Sequence, residues 1–260
     1  MPFVTRLPSP VRRIVRAAGF AGLTGGMVTA YAAHDAFTDA AHKDALRDAW
    51  VQKWAEALLR LFGVSLEVYG DKPPVAGGHL VVANHRSTID IGVMLQIFGG
   101  HMVSRADLSG WPIVGQAARR VGTVFVDRDD ASSGATAIRE MRQLLKAGQT
   151  VNLFPEGTTF DGDVVRPFHP GAFVAAMRTG ATIVPVGLAY AKGSSAAFVN
   201  ESFMSHLSRM AGGPPTRVAM CIGEPLQIGP KARAQALRDA AHAAVQELVH
   251  DARARCDGSP

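Results

Sequence analysis

At 260 residues, 47% of them hydrophobic, the chain is long enough to bury a full core but short for two large domains. Its 27 Lys and Arg against 22 Asp and Glu leave a formal charge of +5, which suits an acidic partner without choosing among nucleic acid, an anionic membrane surface and a phosphorylated substrate. Only two cysteines occur, Cys221 and Cys256, so a disulfide framework and a cysteine zinc site are both unsupported, and a reducing compartment fits.

From the N-terminus, Arg6, Arg12, Arg13 and Arg16 precede a charge-free stretch from Ala17 to Ala33. Its basic start and Ala30-Tyr31-Ala32 pattern partly match a signal peptide. At 17 residues it stands at the short end for a spanning helix. An interfacial anchor, with the arginines on anionic headgroups, needs only to dip in. We expect membrane association, and a cytosolic substrate favours the interfacial mode, since a span with its basic end inside carries the rest of the chain across. Residues 36 to 62 set Leu46, Trp50, Trp54, Leu58 and Leu61 at helical spacing, with both tryptophans on one face, against a core or toward lipid. Residues 1–62 are thus expected as an N-terminal helical membrane-associating region, ahead of a domain spanning 63–260.

That domain reads as strands alternating with helices. Gly63 closes the first helix, VSLEVYG (64–70) alternates like a strand, and HLVVA is a buried strand. A short apolar helix over 88–98 ends on Gly99 and Gly100, and a strand near 101–104 and a helix over 110–120, interrupted by Pro112 and Gly115, follow. Next come a strand over 122–128, an amphipathic helix over 132–148, the strand of TVNLFPEGTT, a helix near 171–179 and the strand ATIVPVGLAY. A helix near 201–210, the strand RVAMCIG and a helix over 231–253 complete the chain. The alternation predicts an α/β fold with a largely parallel sheet flanked by helices.

In such sheets ligands bind off the carboxyl ends of strands. Three apolar strands end in polar residues: Asn84-His85, Asp127-Arg128 and Glu156-Gly157-Thr158-Thr159. With Ser87 as helix cap, Asp90 falls in the first turn, within reach of His85. The carboxylate then fixes the imidazole tautomer, and the other ring nitrogen takes a proton from a hydroxyl. On local spacing alone, a plain capping box beside a surface histidine is the commoner outcome. No Gly-x-Ser-x-Gly elbow, P-loop, Gly-x-Gly-x-x-Gly or His-Glu-x-x-His pattern appears. A histidine base without a protein nucleophile suggests direct transfer to a bound hydroxyl. Aromatics are 7% of the chain and no nucleic-acid module is recognisable, so a nucleic-acid partner is not expected.

NHRSTID, GTVFVDR, FPEGTT and IVPVG stand in the order of the four blocks of the glycerolipid acyltransferases, and the chain resembles their bacterial 1-acylglycerol-3-phosphate branch over residues 64 to 226, including SRADLSGWPIVG. The resemblance implies transfer of an acyl group from acyl-CoA or acyl carrier protein to a lysophospholipid hydroxyl, giving phosphatidate, at the cytoplasmic face of the inner membrane. It implies no cofactor, the thioester being a co-substrate, and no metal. His85 becomes the base and Asp90 its orienting partner. Asn84, Arg105, Arg128, Glu156, Gly157, Thr158, Thr159 and Pro185 become the substrate-binding set, with Arg128 on the acceptor phosphate and Pro185 shaping a pocket. Thr159 stands where many relatives carry Arg or Ser, Arg105 where they often carry Lys, and His169 replaces the lysine of PFKxGA. These departures keep another lysolipid, such as a lyso-ornithine lipid, open as acceptor, and a non-catalytic lipid-binding protein is the reading from another class.

Overall fold

The computed structural model describes residues 4, 7–74, 77–111, 114–127, 129–194, 196–229 and 231–258. Two long helices lead. α1 (Ser9–Ala36) carries proline at its amino end, where the missing N–H has no intrahelical partner to lose. α2 (Lys43–Phe62) follows a short 3₁₀ turn at Ala40–His42 and stops at Gly63, whose φ of 75° gives the left-handed cap that glycine adopts without a Cβ penalty. The helix expected over 36–62 therefore starts later, at Lys43: residues 37–42 turn the chain so that α2 returns along α1.

The rest is β1 (Val64–Tyr69), β2 (His79–Ala83), α3 (Ile89–Phe98), β3 (His101–Arg105), α4 (Val114–Arg120), β4 (Val124–Val126), α5 (Ala131–Lys146) and β5 (Thr150–Leu153), then α6 (Gly171–Ala176), β6 (Thr182–Tyr190), α7 (Phe203–Gly212), β7 (Thr216–Ile222), β8 (Leu226–Gln227) and α8 (Ala234–Asp257). The strands form one mixed sheet in the order β1-β7-β6-β2-β5-β3-β4, with β8 beside β6. Pairing is parallel except where β7 and β8 meet β6 antiparallel. β2 to β6 therefore point their carboxyl ends the same way, and the polar strand ends share one edge. β8 has no counterpart among the predicted elements, two residues being too few for a periodic signal.

Why HLVVA reads as a continuous apolar run is visible in the packing. Leu80 and Val82 face α5, α6 and α8, while Val81 and Ala83 face α3 and the end of α2, and all four are fully buried. α8 lies so close on β6 that a Cβ at Gly187 would stand 2.2 Å from the Leu248 carbonyl carbon. Pro185 sits inside β6 opposite Val82, between the stretches that pair with β7 and with β8. Its carbonyl accepts from the Gly223 N–H at 2.9 Å, so its missing donor falls where β7 has left the ladder.

The expected use of the arginines on headgroups is corrected for two of them. Arg16 is fully buried, donating to the carbonyls of Leu61 at the end of α2 and of Met210, Ala211 and Gly213 at the end of α7. Arg12 Nε donates to the Gly212 carbonyl at 3.1 Å. Helix carboxyl ends expose carbonyls that need donors and carry partial negative charge, and these side chains supply both. Burial, and then the charge of Arg12, lowers Arg16 to about 10, which leaves it charged at neutral pH. Arg6 lies outside the described residues. The tryptophans face α1 rather than open lipid: Trp54 Nε1 donates to Thr24 Oγ1 at 3.1 Å and Trp50 Nε1 to His34 Nδ1 at 3.3 Å. No helix among the described residues is long and apolar enough to cross a membrane.

Candidate active site

The site is built on the turn from β2 to α3. Backbone pairing of β2 with β6 ends at Ala83, and the Asn84 side chain extends it, donating to the Leu188 carbonyl at 2.9 Å and accepting the Leu188 N–H at 2.8 Å. Fully buried, Asn84 turns both its polar atoms onto Leu188 and fixes the strand end, a structural role that corrects its assignment to the substrate.

His85 follows. Its Nδ1 lies 2.8 Å from Asp90 Oδ2, and its ring stacks on Phe154 at 3.9 Å between centroids and 5° between planes. The Asp90 side chain has no solvent exposure, against 16% for His85. The same Oδ2 accepts the backbone N–H of Arg86 at 2.6 Å and of Ser87 at 2.8 Å. One oxygen thus caps the helix and orients the imidazole, so the two readings of the spacing coexist. α3 begins at Ile89, with Thr88 as its cap residue, one position later than a Ser87 cap implies; Ser87 Oγ instead accepts the Ile89 N–H at 3.2 Å. Among the described residues no protein group hydrogen-bonds His85 Nε2, and His85 borders an open cavity of about 920 Å³.

Arg105, Gly157, Thr158 and Thr159 line that cavity with Asp127 and His169. Gly157 turns the chain away from the strand end at a φ of 83°. Thr159 Oγ1 donates to the Phe198 carbonyl, and Arg105, 62% exposed, is paired with Asp107 at 3.1 Å. Arg128 lies outside the described residues.

Two members of the expected substrate set turn inward with Asn84. Glu156 is buried and spent: Oε1 accepts the His85 N–H at 2.7 Å, both oxygens accept Arg86 Nη1 at 2.9 and 3.1 Å, and Oε2 accepts the Arg166 N–H at 2.7 Å. A carboxylate at 0% exposure requires such partners, which corrects its assignment to the substrate. Pro185 borders neither this cavity nor its neighbour and belongs to the sheet.

Arg86 was missed by sequence reasoning. Besides Glu156 it binds the carbonyls of Gly162 at 2.6 Å and Val164 at 2.9 Å, tying the loop after β5 to the His85 turn. Its signal was an arginine at one strand end facing a glutamate at another. Phe154, just past β5, and Tyr190, which ends β6 and donates its hydroxyl to Asp90 Oδ1, were also missed, being apolar-looking residues.

A second, strongly apolar cavity of about 230 Å³ lies between α1, α2, α3 and α4. It shares Thr88, Ile91, Met102, Ser104 and Leu108 with the first, so the two meet beside the His85 turn.

The model of the family described as Acyltransferase matches residues 65–189. A lyso-ornithine lipid O-acyltransferase of Pseudomonas aeruginosa is 30% identical over 205 residues, 76% of this chain and 78% of that protein. The chain belongs to the acyltransferase family. A 1-acyl-sn-glycerol-3-phosphate acyltransferase of Neisseria meningitidis is 31% identical to this acyltransferase over 144 residues, covering 55% of this chain and 56% of the relative. The crystal structure of the 1-acyl-sn-glycerophosphate acyltransferase of Thermotoga maritima superimposes with a TM-score of 0.70 over 95% of this acyltransferase and all of that chain, at 22% identity, a likeness of fold.

Proposed function

We propose that this acyltransferase moves the acyl group of a coenzyme A or acyl carrier protein thioester to the free hydroxyl of 1-acylglycerol-3-phosphate, giving phosphatidate. The observation that carries the reading is the His85–Asp90 pair, with Nδ1 held by the carboxylate and Nε2 free at the cavity wall. His85 Nε2 takes the acceptor hydroxyl proton as the oxygen attacks the thioester carbonyl. Collapse of the tetrahedral adduct breaks the carbon–sulfur bond, and the imidazolium returns its proton to the departing thiolate. The acyl chain occupies the apolar cavity, which puts the carbonyl at the junction, where Thr88 and Ser104 carry hydroxyls able to meet its developing charge. Arg105, at the cavity wall, and Arg128 serve the phosphate.

A second acceptor, a lyso-ornithine lipid, is favoured by the longer match to the Pseudomonas aeruginosa enzyme and by Thr159 and His169, neither a fixed cation, lining the cavity. We further propose contact with the cytoplasmic face of the inner membrane through the outer side of α1, where Ile14 is 70% exposed beside Val11 and Val15.

The test is acyl transfer by the detergent-solubilised protein to lysophosphatidic acid and to other lysolipids, with His85→Ala alongside. Preference for lysophosphatidic acid, reduced about 10²- to 10⁴-fold in the variant, supports phosphatidate synthesis and the base. Activity confined to lyso-ornithine lipid moves the acceptor and keeps the chemistry, and full activity of His85→Ala removes the base.

A further inference from the structure

Four donors converge on the buried carboxylate of Asp90, and they divide unequally. Oδ2 takes three N–H groups, from the His85 ring and from the backbone of Arg86 and Ser87. Oδ1 takes one donor, the hydroxyl of Tyr190, 100 residues further along the chain. Tyr190 is the last residue of β6, with its ring in the apolar cluster of Val186 and Leu188 and its carbonyl held by Arg253 Nη1. The hydroxyl is thus delivered from the sheet's carboxyl edge to the far side of the carboxylate.

We propose that Tyr190 is a positioning residue for acyl transfer: its hydroxyl locks the Asp90 carboxylate in the orientation that presents Oδ2 to His85 Nδ1. This inference rests on the general-base reading. The terminal torsion of an aspartate is broad and two-fold, so backbone donors to one oxygen alone leave the group free to rock. A buried oxygen without a donor is costly, and the group relieves that cost by turning, which drags the imidazole with it. Burial, and then the Asp90 charge, pushes the Tyr190 phenol well above its ordinary value, so it remains a donor across the working pH range. The other charged or titratable groups packed around the pair are Arg86, Glu156 and His206.

Tyr190→Phe keeps the ring and removes the donor. The expected result is a fall in kcat of about 10-fold or more with little change in acceptor KM. The acid limb of kcat/KM should also move to higher pH, because a carboxylate no longer shared with the phenol holds the imidazolium proton more firmly. A thermal melt accompanies the assay. Fluorotyrosine placed at 190 provides the second arm: a stronger donor should move the acid limb to lower pH without disturbing the fold. Wild-type kcat and an unmoved limb in Tyr190→Phe, or no response to fluorination, overturn the inference. If His85→Ala is inactive while Tyr190→Phe behaves as wild type, this inference alone falls; if His85→Ala is fully active, the base reading falls and takes it along.

Discussion

Glu156 shows how one side chain organises a site it does not enter. Its carboxylate holds the His85 amide, the Arg86 guanidinium and the Arg166 amide together, so the turn after β2 and the loop after β5 share one anchor. Glu156→Ala leaves Arg86 buried without its countercharge and should cost about 3–5 kcal/mol, read by chemical denaturation. Glu156→Gln, which keeps the shape and some of the acceptors, should cost less. Undiminished stability together with a raised acceptor KM would return Glu156 to the substrate set. The His85–Asp90 pair was legible because it lies within six residues, where spacing and helix geometry speak. Asn84 to Leu188, Arg86 to Glu156 and Asp90 to Tyr190 were not, because each joins groups 70 or more residues apart that only the sheet order brings together.

Among the elements, α1 is the one whose role the sequence conceals most. Composition marks residues 17–33 as weakly apolar, yet nothing local tells that Arg16 points inward to close the ends of α2 and α7. Arg16→Ala removes charge-assisted bonds to four buried carbonyls and should destabilise by about 2–4 kcal/mol, seen as a lowered melting temperature. A melting temperature equal to wild type would show that water replaces the guanidinium at no cost. Gly187 makes the complementary case in the sheet. Gly187→Ala drives a methyl into the backbone of α8 and should cost about 1–3 kcal/mol, checked by the same melt. The strand and helix alternation was read correctly because periodicity is local. The reversal of β7 and β8 was not, since pairing direction leaves no mark on a buried apolar run.

At the scale of the molecule, α1 and α2 are part of the domain's shape around the site, since both line the apolar cavity that meets the one bordered by His85. Deleting residues 1–36 should therefore abolish turnover as well as membrane partition, even on detergent-dispersed substrate. Replacing Val11, Ile14 and Val15 with serine should separate the two, weakening partition onto anionic vesicles while leaving turnover in detergent near wild type. Equal loss of both in the serine variant would mean that the outer face of α1 supports the fold rather than lipid contact.

Asp90 Oδ2 has a consequence for how the protein ages on heating. Because the oxygen that steadies the imidazole also accepts the amides of Arg86 and Ser87, rotation of the Asp90 carboxylate releases His85 and both amide protons together. Deuterium uptake at these two sites should run in step with loss of catalytic competence, well before the sheet itself opens. On the general-base reading, two backbone protons would thus gauge the fraction of molecules able to turn over.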